Sequence, residues 1–151
     1  MKKFLLFFIM FFCLVLTGCS LDREVKLVRA GSHTFDNGAS YIIDSVDELN
    51  EYVSNTYNNF DDSVVKYDDA YFESSALVIV EVAKSSGSYK LKMSSVKIDD
   101  RTMVVKFKSK CPSIATCDMA YWHIIIECTQ EEAGTITSVE VYDSGEKVIQ
   151  K

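Results

Sequence analysis

The hydrophobic positions of this chain change period along its length, and most of them alternate. Residues 24 to 30 alternate around Val25 and Leu27, which predicts a first strand. Gly31 to Gly38 is polar and reads as a turn, and Ala39 to Ile43 as a short second strand. Val46, Leu49, Val53 and Tyr57 then recur at helical spacing. Ser45 followed by Glu48 has the form of a capping box, so a helix is expected over about residues 45–57. Phe60 to Glu73, with Asp61-Asp62 and Asp68-Asp69 around Val64-Val65, reads as a loop with a short strand or turn. Ala76 to Ala83 is apolar on both faces except at Glu81, the mark of a central strand covered on both sides.

The second half is more regular. Tyr89 to Ile98 alternates Leu91 with Met93, then Val96 with Ile98. The phase slips at Ser94-Ser95, which predicts a bulge. Asp99-Asp100 forms a hairpin turn. Met103, Val105 and Phe107 then share one face, and Lys106 and Lys108 the other. Tyr121 to Cys128 is a long strand. Thr135 to Tyr142 and Lys147 to Gln150 make a last hairpin around Asp143-Ser144-Gly145-Glu146. The sum is one main helix and about seven strands joined mostly by short turns. The expected fold class is α+β, a mostly antiparallel sheet packed with that helix.

The first nineteen residues follow a different rule. Lys2 and Lys3 precede thirteen uncharged residues, Phe4 to Leu16, and Leu16-Thr17-Gly18-Cys19 closes the run. Thirteen residues fall well short of the roughly 20 that span a bilayer. The pattern resembles a lipoprotein signal peptide read by signal peptidase II, with cleavage between Gly18 and Cys19. Cys19 would then carry a diacylglyceryl group. Each buried methylene contributes roughly 0.8 kcal/mol, so two chains hold firmly where one does not. The expected organisation is a leader over 1–18, a lipidated tether over 19–24 and one domain over 25–151, on the extracytoplasmic face of a cell membrane. Cys13 would be lost with the leader.

Charge narrows the partners. The leader holds two of the 16 basic residues and none of the 22 acidic ones, which leaves 14 against 22 and a formal charge near −8. That sign argues against nucleic acid and for a domain that stands off an anionic bilayer.

Three cysteines remain beyond Cys19. Cys111 and Cys117 flank a turn and form the first candidate disulfide; Cys117 with Cys128 is the alternative. Cys128 falls in phase with Trp122, Ile124 and Ile126 and reads as a small buried hydrophobe. A Cys-x5-Cys spacing is not a usual zinc set.

The order of elements from Val46 onward carries a resemblance. A helix opens on Ser-Val-Asp-Glu-Leu, an apolar strand ends in Ser-Ser-Gly-Ser-Tyr, and Tyr-Lys-Leu-Lys-Met-Ser-Ser-Val and Met-Val-Val-Lys-Phe follow. After a loop comes Tyr-Trp-His-Ile-Ile-Ile-Glu. Over roughly residues 45 to 128 this resembles the C-terminal domain of the PrcB protease-complex subunit. The chain departs from that family at Ser88, where Gly-Gly-Tyr is usual, and at Ala120, where a Pro is. The resemblance implies a non-catalytic domain that binds or stabilises another protein, and it carries over no catalytic residue.

Candidate chemistry is sparse. His123 shares a strand face with Tyr121, Ile125 and Glu127, and reads as a surface histidine. A Cys–His nucleophile, or a thiol redox centre, would draw on Cys117, Cys128 and His123. His33 lies in the polar turn. Asp61, Asp62, Asp68, Asp69 and Glu73 do not match an EF-hand and read as a solvated acidic loop. No cofactor or metal motif is found. Tyr89, Tyr121 and His123 make the candidate binding surface. The expected role is a non-catalytic protein-binding or accessory module for a secreted or surface protein. A thiol-dependent enzyme and a small-ligand or sugar binder are the alternatives.

Overall fold

The computed structural model describes residues 23–56 and 60–148. The leader, Cys19, most of the tether and Tyr57 lie outside those residues. The elements in chain order are β1 (Val25–Arg29), β2 (Ser40–Ile43), α1 (Val46–Ser54), α2 (Phe60–Val64), α3 (Asp69–Phe72) and β3 (Ser75–Lys84). They continue as β4 (Lys90–Asp99), β5 (Thr102–Lys110), β6 (Ala120–Thr129), α4 (Gln130–Thr135), β7 (Ser138–Asp143) and β8 (Glu146–Lys147).

Two four-stranded sheets result, ordered β1-β6-β3-β2 and β4-β5-β7-β8. The first is wholly antiparallel. It is the middle layer of three. Ala76, Val78, Val80 and Val82 on β3, with Ile124 and Ile126 on β6, face Met103, Val105 and Phe107 of the second sheet. The alternate residues, Leu77, Ile79 and Ile125, face Leu49, Tyr52, Phe60, Val64 and Phe72 of the helices. A strand buried on both faces cannot alternate apolar with polar, which is why β3 reads as a continuous apolar run. Trp122 and Cys128 pack in the layer between the sheets, as their phase predicts.

Three expectations need correction. The helix is not alone: three shorter helices accompany α1, and two of them, α2 and α3, occupy the stretch expected to be loop or strand. Helix α1 also stops at Ser54, where Asn55 caps it through the carbonyls of Tyr52 and Val53. Its N-terminus is capped by Ser45, which accepts the Glu48 amide at 3.4 Å, while Glu48 reaches back to the Asp44 amide at 3.0 Å rather than to Ser45. Finally, the strands divide into two sheets rather than one; their pairing is mostly antiparallel, as expected, with one parallel exception. Helix α4 intervenes between β6 and β7, and β7 then lies parallel to β5. The signal for α4 was present as Thr129-Gln-Glu-Glu132. Thr129 accepts the Glu132 amide at 3.1 Å, and Glu132 accepts the Thr129 amide at 3.0 Å.

The local devices read from alternation do form. The β4–β5 register shifts between Met93 and Ser95. The β4–β5 hairpin turns one residue later than expected, through Asp100 (φ 41°) and Arg101 (φ 66°), both left-handed without being glycine, while Asp99 still belongs to β4. Ser144 (φ 53°) and Gly145 (φ 96°) turn the β7–β8 hairpin in the same sense, the geometry that matches strand twist.

Candidate functional site

Glu81 lies in the middle of β3, 1% exposed, and faces the helices. A carboxylate taken out of water is expensive unless every oxygen is engaged. Here Oε2 accepts the Asp36 amide at 2.8 Å, and Oε1 lies 3.0 Å from the Tyr52 hydroxyl. That hydroxyl is also 2.6 Å from Nδ1 of His123, which is 0% exposed. His123 Nε2 is 3.1 Å from the Ala30 carbonyl, and a carbonyl only accepts, so Nε2 carries a proton.

The chain Glu81–Tyr52–His123 therefore has a proton count. One tyrosyl proton cannot serve both Oε1 and Nδ1. Either Glu81 is protonated and Tyr52 donates to a neutral His123, or Glu81 is ionised and Nδ1 holds the proton. In both arrangements the cluster binds one proton beyond the tyrosine's own. Burial pushes Glu81 up and His123 down, which favours the neutral pair. Burial, and then Glu81, raise Tyr52 as well. Phe60 and Phe35 pack on the imidazole at 4.7 and 6.0 Å between centroids, and seal it.

This corrects the reading of His123 as a surface histidine. It shares its strand face with Tyr121 and Glu127, but the helices cover that face at position 123. The Cys–His arrangement is also not assembled. Both ring nitrogens are committed. Cys128 is buried against the Ala76 carbonyl at 3.5 Å, and burial pushes its thiol up to about 11. Cys111 and Cys117 are free thiols, exposed in the β5–β6 loop, so the expected bridge between them is not formed, nor is the Cys117–Cys128 alternative.

The exposed surface lies at one end of the sheets. All nine residues from Cys111 to Met119 are exposed, with Ile114 at 88% and Met119 at 56%. The loop is pinned at its base. Arg29 reaches Asp118 at 3.2 Å and the Gly87 carbonyl at 3.2 Å, and Asp118 accepts the Gly87 amide at 3.1 Å. A Cβ on Gly87 would stand 2.2 Å from the Arg29 guanidinium, so only glycine leaves room for this latch. Thr116 bonds Ser86 and Ser88 at 3.0 and 3.2 Å. The hydroxyl of Thr116, then the Gly87 amide, hold the Asp118 carboxyl below its usual range.

Tyr89 and Tyr121 are half-buried at this same end. Tyr121 packs on Phe35 at 4.5 Å, and the Lys84 ammonium sits 5.7 Å from the Tyr89 ring. Of the three expected surface residues, two thus border the loop and His123 does not. The exposed apolar residues Ile114 and Met119 were not singled out, because a short polar loop carries no period that would flag them.

At the opposite end, where β1 begins, Arg23 holds Glu132 through two bonds of 2.6 and 2.7 Å, and Lys66 bridges Glu24 and Glu127. Arg23, Glu24, Glu127 and Glu132 border an open cleft of about 400 Å³ with Tyr71 and Thr129. His33 is exposed and donates its amide to Asn55 at 2.7 Å. Asp68 caps α3 by accepting the Tyr71 amide at 3.0 Å. No group of three or more metal-ligating side chains gathers among the described residues.

Compared with known proteins, the chain matches no family model, no curated protein and no solved structure. No helix among the described residues is long and apolar enough to cross a membrane.

Proposed function

We propose that this protein is a membrane-anchored extracytoplasmic lipoprotein, held through lipid on Cys19, that acts as a non-catalytic binding or accessory module for another secreted or surface protein. The observation that carries the binding role is the polarity of the domain. The chain enters β1 beside Glu24, Glu127 and Glu132. The exposed loop with Ile114 and Met119 lies at the far end of β6, ten residues of strand away. Ten residues span about 33 Å. A lipid at Cys19 would hold the acidic end near the bilayer and present the loop outward. Apolar side chains exposed on a pinned loop suit contact with a protein, where a few desolvated anchors dominate. The layout resemblance to the PrcB C-terminal domain points to the same class of role.

Two measurements test this. Labelling with radioactive palmitate should mark the wild type and not Cys19→Ala; label on both, or on neither, would overturn the anchor. A photo-crosslinking residue at position 114 should form a protein adduct of discrete mass in living cells, and Met119→Asp should weaken it. A membrane-bound protein that forms no adduct from 114 or 116 would overturn the binding role.

A further inference from the structure

The outer face of the second sheet carries the remaining unexplained charge. Lys90 and Lys92 on β4 lie directly opposite Lys110 and Lys108 on β5. Lys106 continues the β5 row, opposite Ser95, and Lys97 continues β4 past the bulge. Alternate residues of a strand stand about 7 Å apart and neighbouring strands about 5 Å, so Lys106 to Lys110 spans about 14 Å. All six are exposed.

Among the described residues none of the six forms an ion pair. Exposed Asp99 follows Lys97 at the end of β4, away from the four paired lysines, and two further acids of the sheet are engaged. Glu140 holds Lys147 at 2.6 Å and Tyr142 at 2.8 Å, and Asp143 is bonded to Lys84 and Ser109. Lys106 has only the Tyr142 ring, 5.7 Å away.

Like charges directly opposite across a sheet are destabilising. Lysines on β4 alone would be expected, because β4 is an edge strand and charge there blocks stray pairing. That account does not reach Lys106, Lys108 and Lys110, which sit on the covered strand β5. Nor does the overall negative charge cancel the patch. Asp61, Asp62, Asp68 and Asp69 lie on the helix layer, on the far side of the central sheet. Two layer spacings put them about 20 Å away, against a screening length of about 8 Å at physiological salt.

We propose that this lysine ladder is a binding surface for a linear phosphodiester polymer outside the cell, such as a polyol-phosphate chain. The face holds lysines and no arginine, and lysine binds phosphate as a point charge, whereas paired recognition of carboxylates favours the arginine fork. Lysine is also depleted where proteins dock on proteins. The half-buried Tyr142 alone offers little stacking platform for single-stranded nucleic acid. A regular row of point charges fits a chain with one charge per repeat. The choice of an extracellular polymer rests on the location proposed above, while the surface itself is apart from the 111–119 loop and is tested independently of it.

The test titrates the full chain, in non-ionic detergent, with a defined glycerol-phosphate oligomer across a salt series. Six lysines neutralising phosphates on a flexible strand give a slope of log affinity against log salt of about −4. Lys92→Glu with Lys108→Glu should weaken binding more than tenfold and flatten the slope, and the milder Lys90→Gln with Lys110→Gln should do so in part. Lys66→Gln, on the helix side, should change nothing. Unchanged affinity in both ladder variants would overturn the proposal. So would equal or tighter binding of poly-glutamate or oligo-thymidine, or binding to phosphatidylglycerol vesicles but not to the soluble oligomer.

Discussion

The buried cluster under the helices and the lysine ladder on the outer sheet solve the problem of charge in opposite ways. Around Glu81, Tyr52 and His123 every polar atom has a partner, and the aromatic rings of Phe35 and Phe60 exclude water. On β4 and β5 six exposed lysines form no ion pair among the described residues. Burial makes an unmet hydrogen bond costly, so the first cluster is complete and holds the 31–38 turn onto the sheet through Asp36. Water makes an unmet charge cheap, so the second can remain open to a ligand. Completed polar networks specify structure, and open ones are free to bind.

That contrast can be broken in four ways, from the largest effect to the smallest. Phe60→Ala removes the ring that seals His123 and should cost about 3–5 kcal/mol by thermal or urea unfolding. A loss below about 1 kcal/mol would mean that the cluster is not sealed as described.

Tyr52→Phe deletes one oxygen and leaves Oε1 of Glu81 and Nδ1 of His123 without their partner. A loss of about 1–3 kcal/mol is expected. A neutral result would show that water replaces the hydroxyl.

The proton count sets the third. The folded cluster is built to hold one proton, on Glu81 or on His123, whereas in the unfolded chain the two groups titrate separately, near about 4.3 and 6.5. Glu81 has its folded value raised, so its contribution is fully present at low pH and is lost as pH rises through that value. His123 has its folded value lowered, so its contribution is present above about 6.5 and is lost as pH falls. The two slopes oppose each other between about 4.3 and 6.5. As pH rises from about 4.3 through the raised folded value of Glu81, that residue should cost the wild type up to about 1.4 kcal/mol per pH unit, and Glu81→Gln should flatten that decline. Parallel pH profiles for the two proteins would refute the proton count.

The smallest effect has the opposite sign. Lys92→Glu turns a repulsive cross-strand pair with Lys108 into an attractive one and should stabilise by about 0.2–1 kcal/mol in low salt, less in high salt. Destabilisation would mean that the ladder is held by contacts other than charge. Together the four separate a cluster whose disruption costs stability from a surface whose disruption adds it.

Several of these features were legible in the chain. The run Ala76 to Ala83 announced a strand covered on both sides, Ser94-Ser95 announced the bulge, and the phase of Cys128 with Ile124 and Ile126 announced its burial. Each depends on period, which one strand expresses alone. Glu81 was visible as the single charge in the apolar run, but its partners were not. Tyr52 is 29 residues away and His123 is 71 residues from Tyr52, and no local pattern joins them. His123 was read as exposed because it shares its strand face with Tyr121 and polar Glu127. The helices cover β6 at position 123, and at position 127 they leave the side chain half-buried beside Lys66 and Tyr67.

The sequence by itself determined where most strands and turns fall, because alternation and turn chemistry act over a few residues, but it did not show the short helices over 60–72. It also placed Cys19 at the end of an uncharged run, and the alternating lysines on β5. The tertiary structure alone decided the rest. It set the parallel pairing of β7 with β5, and it joined Glu81, Tyr52 and His123. It also brought Lys90 and Lys92 opposite Lys110 and Lys108. Those depend on which distant segments share a layer, and that is settled by burying two faces of one sheet at once.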